Sequence, residues 1–369
     1  MKHLIQILFL FVILPASGQN KMFTPSLNYI SQHRGTSSVE IPEVQELIHV
    51  IIAVASRSDS SLNFINKTTE YYQKVISTFE PFKEHKIVET IYAMVKANPA
   101  NYYFLKMDGT GFYFNEDNQL LKEDTYDRLG WNKKNVIDPL LTDISDFAHK
   151  SNFRQFFKDN HDFYSYLIDL MKIQSPIDKQ WRWLEKEFVE KYDNYRITFS
   201  PLVRGSHSTQ FFETAGFRQI VMFVESPYII KKYNDQITEG LLTRMVFTEI
   251  DHNYVNPISH KYKKQIKQIF KDRSKWTDTN KGTDWYGSPE LIFNEYMTWA
   301  VFTLYALDTF NEDDFNTINT KTTMQMVDLR GFLRYKEFNQ KLIELYRSKG
   351  TNETVVDLFP KILDWCRGS

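Results

Sequence analysis

The chain has 369 residues, a formal net charge of −1 and a hydrophobic fraction of 42%. At about 100–200 residues per domain, this length allows two or three domains or one large domain with an ample core. The nearly balanced charge provides no basic field of the kind that collects nucleic acid or acidic lipid, so both partner classes are excluded first.

The first residues have the pattern of an export signal. A short basic start precedes the apolar run Leu4–Leu14, and small residues follow at the cleavage positions in Pro15–Gly18. The run is too short to span a bilayer. We therefore expect a signal peptide at residues 1–18, a flexible N-terminus at residues 19–38 and a periplasmic or extracellular protein without a transmembrane segment.

Residues 39–192 are predicted to form a mainly helical N-terminal region with one β-hairpin. Apolar residues at helical spacing predict a first helix over Ile41–Ala55. The aromatic runs of Tyr102–Phe114, interrupted at Asp108-Gly109 and followed by a turn at Asn115–Asn118 before Leu120, predict a short β-hairpin or meander.

Residues 193–369 are predicted to begin with two strands, Tyr195–Val203 and Phe217–Val224, separated by a loop. A helix follows, with Asn234 as its N-cap and Asn256-Pro257 as its end. A second, very apolar helix begins after Ser288. Further amphipathic helices follow, and the single cysteine of the chain, Cys366, is expected to be partly buried in the last of them. One cysteine excludes an intramolecular disulfide and a cysteine-based zinc cluster.

The helix after Asn234 has the spacing of the zinc-protease helix H-E-x-x-H, with Thr248 in place of the first histidine. Residues 248 and 252 share one helical face, so their side chains could hold one ion between them. Glu249 lies beside them, where a general base could deprotonate a metal-bound water. Asp251 lies about 100° around the helix from His252 and is expected to point elsewhere.

Glu295, on the apolar helix, is the candidate for a further metal ligand. Burying an ionised glutamate costs several kcal/mol unless a cation or hydrogen bonds offset it. A structural glutamate paired with Arg244 or with a tyrosine hydroxyl would satisfy the same requirement.

The segment Thr248–Pro257 resembles the H-E-F-S-H-x-F-x-N-P helix of an uncharacterised family of secreted, zincin-like bacterial proteins. The pair Asn294-Glu295 resembles the N-E-x-x-S-D motif of thermolysin-like gluzincins, except that Trp299 replaces the aspartate. The resemblance implies a metallopeptidase-like fold with zinc as cofactor. It also implies that Glu249 is the base and that His252 and Glu295 are metal ligands.

Thr248 departs from this pattern, because a neutral hydroxyl does not compete with imidazole or carboxylate for zinc. Two replacements are possible. His207, in the loop between the two predicted strands, could supply the missing ligand. Alternatively, Glu249 itself could bind the metal together with His252 as an i, i+3 pair.

The predicted fold is therefore predominantly helical α+β, with a zincin-like region of a small sheet, an active-site helix and a following helical bundle. The first predicted function is a metal-dependent peptidase that acts on a peptide or protein substrate. The alternative is a catalytically inactive pseudopeptidase that binds a peptide or a surface partner. A glycan-binding cleft lined by aromatic residues is a distant third, because aromatic side chains at helical spacing usually form core.

Overall fold

The computed structural model describes residues 22–214 and 216–368, and the predicted signal peptide lies outside them. The prediction of a predominantly helical α+β fold is confirmed. The chain divides into two compact units, which we call the sheet unit (residues 22–171 and 192–227) and the helical unit (residues 172–191 and 228–368). Within the described residues, no helix combines the length and apolar composition needed to cross a bilayer.

The sheet unit contains a four-stranded sheet in the order β1-β4-β6-β5 and a separate hairpin of β2 and β3. Strands β1, β4 and β6 are parallel, and β5 runs antiparallel to β6. The strands are β1 Thr36–Glu40, β2 Phe112–Phe114, β3 Leu120–Lys122, β4 Asn194–Ser200, β5 Ser208–Thr214 and β6 Phe217–Glu225. The helices are α1 Leu27–His33, α2 Glu43–Ala55, α3 Glu70–Phe79, α4 Lys86–Ala97, α5 Ala100–Asp108, α6 Leu141–Lys150, α7 Phe153–Asp159 and most of α8 His161–Gln174.

The core of the sheet unit forms around α2, which is buried from Val44 to Val54. A helix that is apolar on most of its surface must be enclosed by other elements. Helices α3, α4 and α5 and strand β4 pack against α2. A second apolar cluster joins Phe23 and Tyr126 to Phe212 on β5 and Phe217 on β6.

Three parts of the sheet unit differ from the sequence-based prediction. The first aromatic run of the predicted hairpin or meander is helix α5, whereas the end of the second run and the predicted turn belong to the hairpin of β2 and β3. Nearly every side chain of α5 from Tyr102 onward is buried, so the sequence offers no polar face that would mark a helix. Strand β5 lies between the two predicted strands, where a loop was predicted. Strand β1 begins near the end of the segment that was predicted to be flexible.

The helical unit consists of helices joined mostly by short connections. The sequence-based division placed β4 and β6 together with the helix after Asn234, whereas contacts group those strands with the sheet unit. The helices are α9 Ile177–Glu187, α10 Asp235–Lys261, α11 Lys263–Ile269, α12 Pro289–Thr309, α13 Glu312–Met324, α14 Tyr335–Arg347 and α15 Val355–Gly368. Cys366 is buried in α15, as predicted, and burial raises the pKa of its thiol to about 12.

The predicted end of α10 at Asn256-Pro257 is wrong, because the helix continues to Lys261. Proline cannot donate the backbone hydrogen bond expected four residues back, which usually ends or kinks a helix. Here the residues before and after the proline are buried: Val255 precedes it, and Ile258 and Ser259 follow it. Their packing holds the last turn in helical form despite the missing hydrogen bond.

Candidate functional site

Helices α10 and α12 pack against each other and carry Glu249, His252 and Glu295 into the interior of the helical unit. Asn234 caps α10 as predicted, because its Oδ1 accepts a hydrogen bond from the amide of Ile237 at 2.7 Å. Ser288 caps α12, and its Oγ accepts from the amide of Leu291 at 3.3 Å. The two caps fix where each helix begins and therefore which side chains face each other.

The structure brings His252 and Glu295 together. The Nε2 atom of His252 lies 3.4 Å from Oε1 of Glu295, and the two side chains are 1% and 2% exposed. The other ring nitrogen, Nδ1, lies 3.4 Å from Oδ1 of Asn256, one turn further along α10. Donation to both oxygens at once requires a proton on each ring nitrogen.

Arg330 provides the main positive charge at Glu295. Its Nη2 donates to Oε2 of Glu295 at 2.7 Å and also to the hydroxyl of Tyr286. Burial alone would raise the pKa of Glu295, but the guanidinium of Arg330 and the ring of His252 lower it below its ordinary value. The carboxylate is therefore held between two basic groups, one at each oxygen.

The backbone around Arg330 is unusual. A π-helix over Gln325–Leu329 precedes it, and its amide donates to the carbonyl of Gln325 at 3.0 Å. Gly331 follows with φ of +77°, and a Cβ atom there would lie 2.9 Å from the carbonyl oxygen of Asp278. Glycine is suited to both the positive φ and the close contact. Isolated π-turns often occur at functional sites.

Glu249 and Asp251 add two more carboxyl groups to the same interior, and both are fully buried. Burial raises the pKa of Asp251 well above its ordinary value, and the carboxylates of Glu295 and Glu249 raise it further. Neither carboxyl oxygen of Asp251 has a hydrogen-bond partner among the described residues. Asp251 is buried like Glu249, and the helical spacing places it about 100° around α10 from His252.

Thr248 is buried, and its hydroxyl donates to the carbonyl of Met245 in the preceding turn at 3.2 Å. This is the local hydrogen bond that threonine commonly makes inside a helix. Within residues 22–214 and 216–368, no three His, Cys, Asp or Glu side chains are placed to share one metal ion.

The donor set does not fit a zinc ion. Structural and catalytic zinc sites use at least three protein ligands, whereas the described residues bring His252 and Glu295 into contact without a group of three possible ligands. The hydroxyl at position 248 is bonded into its own helix, and the guanidinium of Arg330 already neutralises the carboxylate of Glu295. A metal ion would have to share that carboxylate with a permanent positive charge.

His207 belongs to the sheet unit, where it is buried and its Nε2 lies 3.8 Å from Oε1 of Glu225. Arg330 was missed by the sequence analysis, which considered Arg244 as the partner of Glu295. A buried glutamate requires a cation, and the sequence Leu329-Arg-Gly-Phe332 places a lone arginine among apolar neighbours. An arginine among apolar neighbours was the signal that could have indicated a buried cation. The sequence around Arg330 does not show that its partner is Glu295.

Searches against protein-family models, curated proteins and solved structures gave no significant match. The likeness to zincins therefore rests on the sequence of Thr248–Pro257 and of Asn294-Glu295.

Proposed function

We propose that this chain is an exported, zincin-like protein that does not hydrolyse peptides and that acts as a binding module for a peptide or a surface partner. The observation that carries this proposal is the burial of the residues that would perform catalysis. Glu249, His252 and Glu295 are at most 2% exposed. A general base must come within hydrogen-bond reach of a water and a substrate, and these side chains face protein atoms instead.

The charge arrangement supports the same proposal. In a zinc peptidase the metal supplies the positive charge that polarises the substrate carbonyl and lowers the pKa of water. Here the positive charge next to Glu295 belongs to Arg330, and a guanidinium cannot coordinate a water as a metal ion does. Glu249 then has no metal-bound water to deprotonate, and the cluster serves to hold α10, α12 and the segment after the π-helix together.

One distance favours a second candidate, a zinc-dependent peptidase with Glu249 as base and His252 and Glu295 as ligands. Two ligands of a tetrahedral zinc, each about 2.0–2.1 Å from the metal, are separated by about 3.3 Å. The separation between Nε2 of His252 and Oε1 of Glu295 is 3.4 Å. This candidate requires a further ligand and a movement that admits solvent to the cluster.

Fluorescein-labelled casein distinguishes the two candidates. The proposed binding module, purified without its signal segment, should raise the anisotropy of the labelled casein and release no small labelled peptides, with or without added zinc. The peptidase should release peptides in the presence of zinc and should lose this activity in Glu249→Gln. Release of peptides that depends on Glu249 would overturn the proposal, and absence of both signals would contradict its peptide-binding part.

A further inference from the structure

Arg330 has the contacts expected of a permanent structural cation. Its guanidinium donates to Glu295 and to Tyr286, and a third contact joins Nη1 to Sδ of Met326 at 3.2 Å. The group lies 4.8 Å from the ring centroid of Trp299, within the range of a cation–π interaction. A planar guanidinium can make these contacts together, because its donors diverge in one plane while its face stacks on a ring.

The position of this cation relative to the carboxylate is the informative feature. Glu295 directs Oε1 to His252 and Oε2 to Arg330. In the zincin arrangement suggested by the sequence, the same carboxylate would instead share a metal ion with the histidine. The cluster therefore keeps one glutamate and one histidine in ligand-like contact but takes its positive charge from a side chain.

We propose that Arg330 replaces a metal ion in this cluster and that its positive charge keeps a divalent cation out. This inference concerns the same residues as the proposed function and rests on the absence of a resident metal assumed there. Removing the arginine leaves the carboxylate of Glu295 buried with less compensating charge. A divalent cation then becomes the simplest group that could restore the balance, provided that position 248 also supplies a ligand.

The first experiment measures whether Arg330 stabilises the fold through Glu295. Arg330→Met should lower the folding equilibrium constant by about 100-fold or more, because it leaves a buried carboxylate without its partner. The same substitution in an Glu295→Gln background should cost much less, because no charge remains to be neutralised. If Arg330→Met alone is too unstable to purify, the comparison of Glu295→Gln with the double variant still measures the cost of removing Arg330 when residue 295 carries no charge. A small cost there is the expected result. An equal cost in both backgrounds would overturn the proposal.

The second experiment measures zinc affinity by isothermal titration calorimetry. The double variant Thr248→His/Arg330→Met should bind zinc at least about 10-fold more tightly than Thr248→His alone, since a nearby positive charge opposes a divalent cation. Adding His252→Gln to the double variant is the control and should remove this binding. Equal affinities with and without Arg330 would overturn the inference, whereas peptide release by the unaltered protein would contradict the proposed function. The two failures are therefore distinguishable.

Discussion

Arg330 and Glu295 are 35 residues apart in the chain, and their side chains are 2.7 Å apart in the interior of the helical unit. Glu295 comes from α12, whereas Arg330 follows a π-helix and precedes a glycine in the left-handed region. The pair therefore ties a regular helix to an irregular segment. Loss of this pair should lower the stability of the helical unit more than loss of any single apolar contact at the surface of that unit.

Arg330→Lys tests whether the geometry of the guanidinium matters in addition to its charge. Lysine keeps the positive charge but cannot donate in a planar fork to Glu295 and Tyr286 while it stacks on Trp299. We expect a loss of about 1–3 kcal/mol in the free energy of unfolding, smaller than that of Arg330→Met. Urea unfolding of the three proteins checks this order, and a lysine variant as unstable as the methionine variant would contradict it.

A second buried pair gives a prediction independent of the candidate site. The ammonium of Lys349 lies 3.0 and 2.9 Å from the two carboxylate oxygens of Glu187, which is 1% exposed. Lys349→Met should cost about 1–3 kcal/mol, because the buried carboxylate loses its nearest cation and keeps the hydroxyl of Tyr346 and the amide of Val355 as donors. Arg367→Met is the matched control, since its partner Asp364 is exposed and surface ion pairs contribute little. Equal effects of the two substitutions on thermal unfolding would show that the buried pair has no special role.

Gly240 marks the close approach of α10 to α13. A Cβ atom at this position would lie 2.2 Å from Cδ1 of Ile318, which is shorter than any normal contact. Gly240→Ala should therefore destabilise the protein by about 1–3 kcal/mol despite the better helix propensity of alanine.

Two further variants separate this clash from a general effect of alanine. Gly287→Ala has open space around its added carbon and should leave stability nearly unchanged. Ile318→Val should relieve part of the cost of Gly240→Ala when the two are combined. Strictly additive losses in the double variant would argue against the contact.

The sheet unit is predicted to lose stability as the pH rises toward neutrality. Burial raises the pKa of Glu46 from 4.5 to about 7, although hydrogen bonds from Ser200 and Tyr71 oppose the shift. A raised pKa in the folded state means that the protonated carboxyl favours folding. This contribution is complete below the unfolded pKa and is lost as the pH rises through about 7.

The raised pKa of Glu46 corresponds to a loss of about 3 kcal/mol in the free energy of unfolding once the pH exceeds the folded-state pKa. Glu46→Gln should remove it, so that the variant is more stable than the unaltered protein at pH 8 and similar to it below the unfolded pKa. Glu116→Gln, at an exposed position, is the control. Parallel pH profiles of unfolding free energy for the unaltered protein and Glu46→Gln would contradict the prediction.

The sequence predicts well those features that depend on local chemistry. The caps at Asn234 and Ser288 follow from side chains that bond to the first free amides of a helix. The class of the fold follows from hydrophobic spacing. Helix α5 and strand β5 were misassigned because α5 is buried on most sides and β5 contains polar residues in its buried positions.

The candidate site could be predicted only in part. Spacing along α10 brings Glu249 and His252 to one region, and the apolar character of α12 predicts that Glu295 is buried. The identity of its partner could not be predicted, because Arg330 reaches the carboxylate only through the tertiary arrangement of the π-helix and Gly331.

Arg330, and not a metal ion, is proposed to balance the charge of Glu295. The most direct test is the metal content and zinc affinity of the unaltered protein, measured by elemental analysis after purification and by calorimetric titration of zinc into the chelator-treated protein. We expect far less than one equivalent of bound metal and no zinc binding that is lost in His252→Gln. About one equivalent of zinc, released by His252→Gln or Glu295→Gln, would contradict it.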